Sequence, residues 1–132
     1  MPATHKNIPD CPFCHLPGDR IILTNDLAIG IRDGFPVSNG HTLIMPKRHI
    51  GSFFETTLDE RTALFDLLDA AKNALATESQ PAAYNIGIND GPAAGQTVPH
   101  LHIHLIPRYV GDNGDARGGV RWVLPEKAKY WK

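Results

Sequence analysis

Three features of the chain predict an α+β fold built on an antiparallel sheet. Several short apolar runs come first, one long helical pattern follows them, and two more apolar runs close the series, joined by a short loop. At 132 residues the whole chain, 1–132, reads as one domain, long enough for a hydrophobic core without disulfide staples. It contains no internal repeat, low-complexity block or linker-like shift in composition.

Taken in order, "RIILTNDLAIGIRD" carries two apolar runs broken at Thr24-Asn25-Asp26, the pattern of a hairpin with a polar turn. "GHTLIMPKRH" is a third strand, stopped by Pro46, which has no N–H for the ladder. The helix starts at "TLDE". There Thr57 and Glu60 have the spacing of a capping box, and Asp59 suits the first turn. Leu64, Leu67, Leu68, Ala71 and Leu75 then recur on one stripe, and Pro81 marks the exit. "AAYNIGIND" is a strand, "GPAAGQTVP" a loop and "HLHIHLIPR" the last strand. The tail, residues 111–132, is rich in glycine, with Trp122 and Trp131 as candidate anchors, and no pattern assigns it a structure.

Charge and composition exclude several functions. A formal charge of −1 gives no basic surface for nucleic acid or an anionic membrane. No apolar run approaches the ~20 residues that span a bilayer. The opening "MPATHKNIPD" lacks the apolar core of a signal peptide, so a cytoplasmic protein is expected.

Three of the seven histidines lie at alternate positions in "HLHIHLIPR". On a straight strand His100, His102 and His104 share a face bordering a cleft, while Leu101, Ile103 and Leu105 face a core. One metal held by all three is strained, because His100 and His104 would start ~13 Å apart. The preceding loop offers more. Gly91 and Gly95 permit positive backbone angles, Ala93 and Ala94 leave amides accessible, and Gln96 and Thr97 add donors. That is the makings of an anion nest beside a row of imidazoles.

The cysteines form the pair Cys11-x-x-Cys14, followed by His15. Haem attachment fits the letters of "CPFCH" but requires a compartment outside the cytosol. A thioredoxin-like redox pair needs a strand before it and a helix after it, and here Pro9 and Pro17 bracket the segment. Structural zinc is the third option.

"AGQTVPHLHIHLIPR" resembles the motif of the histidine triad (HIT) superfamily of nucleotide hydrolases and transferases, and the resemblance extends through "GHTLIMPKRH" and the acidic position of "IRDGFP". It implies a five-stranded antiparallel sheet with one long and one or more short helices, paired as a homodimer into a ten-stranded sheet. It also implies a nucleotide hydrolase. His102 attacks an α-phosphate with its other ring nitrogen held by the His100 carbonyl, and AMP is released from a phosphoramidate or a dinucleoside polyphosphate. His104 then contacts phosphate or protonates the leaving group, with His41 beside it. Gly95, Gln96 and Thr97 surround the phosphate, Gln96 and Thr97 holding its oxygens. Asp33 meets the ribose, Asn89 the sugar-phosphate side, and Phe13 and Ile22 the purine base. Some relatives bind structural zinc, and the matching ligands are Cys11, Cys14, His49 and His100. "RGGVRW" and "GPAAGQT" lean towards polyphosphate cleavage, with Arg108, Arg117 and Arg121 as cations for further phosphates. Two alternatives stay open. One is a nucleotidyltransferase or phosphorylase, although such enzymes usually carry glutamine where His104 stands. The other is a nucleotide-binding interaction module with little turnover.

Overall fold

The computed structural model describes residues 10–132, so the reading of the N-terminal leader and of Pro9 lies outside the described residues. Strands β1 (Ile21–Thr24), β2 (Ala28–Arg32), β3 (Thr42–Pro46), β4 (Ala83–Ile88) and β5 (Ile103–Arg108) make one antiparallel sheet in the order β1-β2-β3-β5-β4. Helix α1 (Leu58–Glu78) covers one face, and a short α2 (Pro125–Ala128) belongs to the C-terminal segment. The expected fold class is the observed one.

Local chemistry explains the boundaries. In the β1–β2 turn, Asn25 Oδ1 accepts the amides of Leu27 and Ala28, and its Nδ2 donates to the Ala63 carbonyl, tying the turn to α1. Thr57 and Glu60 form the reciprocal capping box. Glu60 is also buried, and Arg48 holds it in a fork of 2.9 and 2.7 Å bonds, which lowers the carboxyl pKa against the cost of burial. The helix ends with Gln80 at φ 52°, a left-handed position where glycine is usual, just before Pro81.

Two apolar layers flank the sheet. Leu64, Leu67, Ala71 and Leu75 of α1 pack on Ala28, Ile44, Ile103 and Leu105. On the opposite face Ile29, Ile31, Leu43 and Met45 meet Phe13, Leu16 and Ile21. Because β3 is buried along its whole length, its two faces serve two different layers. Only the second layer lies on the histidine side.

β5 is shorter than the sequence suggests. Pairing with β3 runs from Thr42↔Leu105 to Ile44↔Ile103 and stops. The next donors would have to come from the end of β3, where Pro46 has no N–H, so His100 to His102 precede the strand. The straight-strand picture of three histidines on one face therefore fails at His100, which is completely buried.

The unassigned tail is ordered by cation–π contacts. Arg117 lies 4.7 Å over Trp131, and Arg121 lies 4.7 Å over Tyr130. Trp122 Nε1 donates to the Arg117 carbonyl, and a Cβ added at Gly119 would stand 3.1 Å from Asn85 Nδ2 of β4. The tail thus lies against the sheet beside the histidines.

Candidate functional site

Backbone groups fix the protonation pattern of four histidines, since an amide can only donate and a carbonyl only accept. His102 Nδ1 lies 2.8 Å from the His100 carbonyl, so Nδ1 carries the proton and Nε2 keeps the lone pair. The Val37 amide donates to His41 Nδ1 at 3.2 Å, which places the His41 proton on Nε2. That proton is given to His104 Nδ1 at 2.9 Å, leaving His104 with an N–H at its own Nε2. A ring with a lone pair and a ring with a donor therefore sit side by side, centroids 5.1 Å apart.

Burial favours the neutral form of His104 and of His41. Desolvation, reinforced by the neighbouring His102 and His41, holds His104 down to about 4, with Asp33 opposing. Desolvation likewise lowers His41, partly offset by Asp33, whose Oδ2 is 3.4 Å from His41 Nε2.

The histidines line a cavity of about 720 Å³ between the sheet and the N-terminal segment. Its floor is Ile31 and Leu43, and one wall is Phe13, whose ring meets His102 edge-on at 5.1 Å. Asp33, Asn89, Gly95 and Thr97 also line it. Asp33 accepts the Phe35 amide with one oxygen, and Gly95 stands at φ 98°.

Two anticipated contacts differ. Ile22 does not line the cavity and is 42% exposed. A bulge between Ile21 and Leu23 makes it the extra residue of β1, so that Ile21 packs on the cavity-side layer instead. Gln96 lines the cavity, but its amide is already engaged. Oε1 accepts the Gly91 amide at 2.8 Å, while Nε2 donates to the carbonyls of Gly51 at 2.9 Å and Val98 at 3.1 Å. Its side chain braces the loop and has no donor left for a phosphate. Ile31 and Leu43 escaped the sequence reading, yet both follow from it: each is two residues from a predicted site residue, Asp33 or His41, and so shares its face.

His100 belongs to a second cluster. Its Nε2 donates to the Pro46 carbonyl at 2.8 Å, turning the Nδ1 lone pair towards Cys11 Sγ at 3.4 Å and Cys14 Sγ at 3.6 Å. Cys14 Sγ is 3.2 Å from His49 Nδ1, and the four donor atoms all lie within 4.8 Å of one another. Edges of a tetrahedron around zinc measure about 3.3–3.8 Å for bonds of 2.0–2.3 Å, so two sulfurs and two nitrogens at these spacings fit that ion. The Pro46 carbonyl is the outer partner a ligating histidine needs, and burial lowers His100 towards its neutral, ligating form.

All three arginines considered for extra phosphates are committed elsewhere. Arg108 is forked onto Asp112 and bonded to Asn85, and Arg117 is forked onto Asp115. Arg121 donates to the carbonyls of Lys127 and Ala128. Among the described residues no helix is long and apolar enough to cross a membrane.

The family model of the HIT domain matches residues 17–111. An uncharacterized HIT-like protein of Mycoplasma genitalium is 36% identical over 108 residues, covering 79% of this chain and 77% of its own. The asymmetrical bis(5'-nucleosyl)-tetraphosphatase of Schizosaccharomyces pombe is 35% identical over 95 residues, 72% of this chain and 52% of its own. Among solved structures, a zinc-bound histidine triad family protein from Mycobacterium smegmatis superposes with TM-score 0.70 at 34% identity, covering 79% of this chain and 78% of that one.

Proposed function

The chain belongs to the HIT domain family, and we propose on that premise that it is a nucleotide hydrolase releasing AMP through a covalent nucleotidyl-His102. The observation that carries the proposal is the pairing of a lone-pair nitrogen on His102 with an N–H on His104 at one cavity wall. Names of relatives, such as the tetraphosphatase of S. pombe and an adenylylsulfatase of Arabidopsis thaliana, support the reaction class.

Phe13, Ile31 and Leu43 would hold a purine, and Asp33 the ribose hydroxyls. Phosphate oxygens would meet the loop around Gly95 and Thr97, with Gln96 shaping that loop. A phosphoryl anion beside His104 opposes the desolvation that keeps the ring neutral, and a proton taken up at Nδ1 as substrate binds replaces the hydrogen bond from His41 Nε2 there. His102 Nε2 gives its pair to phosphorus while the bond to the leaving atom breaks. That atom takes the proton from His104 Nε2. Water then attacks phosphorus, its proton returns to His104, and the phosphorus–nitrogen pair returns to His102. His104 ends as it began.

Cys11, Cys14, His49 and His100 would hold zinc, which supplies a structural clip between the N-terminal segment and the chain entering β5. Thiol ligation suits a reducing, cytoplasmic compartment. A homodimer belongs to the same proposal: β4 is an edge strand, and pairing two such edges would join two five-stranded sheets. The test is AMP release from adenosine 5'-phosphoramidate and diadenosine polyphosphates by the wild type and by His102→Asn. The variant should lose turnover and keep nucleotide binding. Equal turnover by both would remove the nucleophile assignment. His102-independent binding without release by the wild type would favour a binding module.

A further inference from the structure

Between β2 and β3 the chain reverses through a turn at residues 38–41, closed by the His41 amide donating to the Ser38 carbonyl at 3.1 Å, with Gly40 at φ 91°. Burial does not hold the stretch entering this turn, since Phe35 and Val37 are 91% and 72% exposed. Yet the Val37 amide is the donor to His41 Nδ1. A stretch with little packing of its own therefore decides which nitrogen of His41 keeps a proton.

Two hydroxyl groups tie the turn to β5, the strand that carries His104. Ser38 Oγ donates to the Pro107 carbonyl at 2.7 Å. The Tyr109 hydroxyl, one residue past β5, donates to the Asn39 carbonyl at 2.7 Å and lies 3.0 Å from Ser79 Oγ at the end of α1. A third bond, from Thr42 Oγ1 to the Gly40 carbonyl at 2.7 Å, only joins the turn to its own following strand. Neither Ser38 nor Tyr109 lines the nucleotide cavity.

Two neutral imidazoles joined by one hydrogen bond have two arrangements. In the first, His41 Nε2 donates to His104 Nδ1, and His104 keeps its proton at Nε2. In the second, His41 is protonated at Nδ1, its Nε2 accepts from His104 Nδ1, and His104 Nε2 has no proton to give. The second arrangement also provides an acceptor for the Nδ1 proton of a His104 imidazolium, which makes that cation a weaker acid. The Val37 amide excludes it, because two N–H groups would then face each other. Asp33 Oδ2, 3.4 Å from His41 Nε2, favours the first arrangement as well. His102, the other ring beside His104, has its proton engaged by the His100 carbonyl.

We infer that Ser38 and Tyr109 are positioning residues for the general acid: by fixing the turn on β5 they hold the Val37 amide against His41 and so keep the His104 proton at Nε2. The inference rests on the nucleotide-hydrolase reading above for its kinetic consequence and deepens it.

Protein labelled with 15N-histidine shows by nuclear magnetic resonance which ring nitrogens carry protons, at neutral pH and without nucleotide. Wild type should show His104 protonated at Nε2. The double variant Ser38→Ala, Tyr109→Phe should move the ring shifts of His41 and His104 towards the other arrangement, the ratio of the two falling about fivefold for one weakened hydrogen bond. Val37→Pro, which deletes the amide itself, should do the same, and Ser38→Thr, which keeps the hydroxyl, should behave as wild type. With adenosine 5'-phosphoramidate the double variant should lose about threefold to tenfold in kcat while KM stays within about twofold. Wild-type ring shifts in the double variant, whatever its Tm, would overturn the inference, as would a wild-type His104 protonated at Nδ1. Unchanged kcat beside shifted tautomers would overturn it too. If the double variant fails to fold, Tyr109→Phe alone decides, because it removes one oxygen at a half-buried site. Shifted tautomers with no AMP release by the wild type would overturn hydrolysis and leave the control of the tautomer standing.

Discussion

Replacing Gln96 with alanine separates two roles that one residue could play. If Gln96 held phosphate, its loss would raise KM or lower kcat with little change in stability. The structure instead gives its side chain three hydrogen bonds, to the Gly91 amide and the Gly51 and Val98 carbonyls. These join the loop before the histidines to the strap that follows His49, and the Ile50 carbonyl, which accepts the Leu101 amide at 2.7 Å, lies on the same strap. Each bond contributes about 0.5–1.5 kcal/mol net, and water can replace part of that at a half-buried site. Their loss should therefore cost about 2 kcal/mol, a fall of roughly 6–8 °C in Tm for a domain of this size. Thermal and urea unfolding of Gln96→Ala beside wild type would measure it. An unchanged Tm combined with a raised KM would refute the brace and restore Gln96 as a phosphate contact.

Other consequences are open to similar tests. Wild-type protein should carry about one zinc per chain by elemental analysis, Cys11→Ser should carry much less, and a chelator should lower the Tm of the wild type alone. Acid should destabilise the fold through His104, which protonates near 6.5 when unfolded but only at about 4 when folded. The unfolded state then binds more protons between those values, so stability present above pH 6.5 is lost as pH falls to 4, by up to about 3 kcal/mol. His41 adds in the same direction. His104→Gln should flatten that slope in urea titrations at successive pH values. Gln80→Gly should raise stability by about 0.5–1 kcal/mol by relieving the left-handed backbone at the end of α1, and an unchanged urea midpoint would show that the position is unstrained.

By itself the sequence determined what depends on local pattern. The strand alternations, the Thr57–Glu60 cap and the 3.6-residue stripe of α1 each have a near-neighbour cause, and each is present in the structure. The clustering of Cys11, Cys14, His49 and His100 was legible only through resemblance, because their spacing along the chain carries no distance information. Tertiary structure alone decided the rest. Pro46, remote in sequence, ends the ladder before His100 and captures its ring, which divides three alternating histidines between two sites. A bulge of one residue exchanges Ile22 for Ile21. Gln96, Arg108 and Arg121 are donors whose partners lie on other elements, at Gly51, Asn85 and the carbonyls of α2. A donor's role is set by which acceptor it meets, and that meeting is a property of the fold.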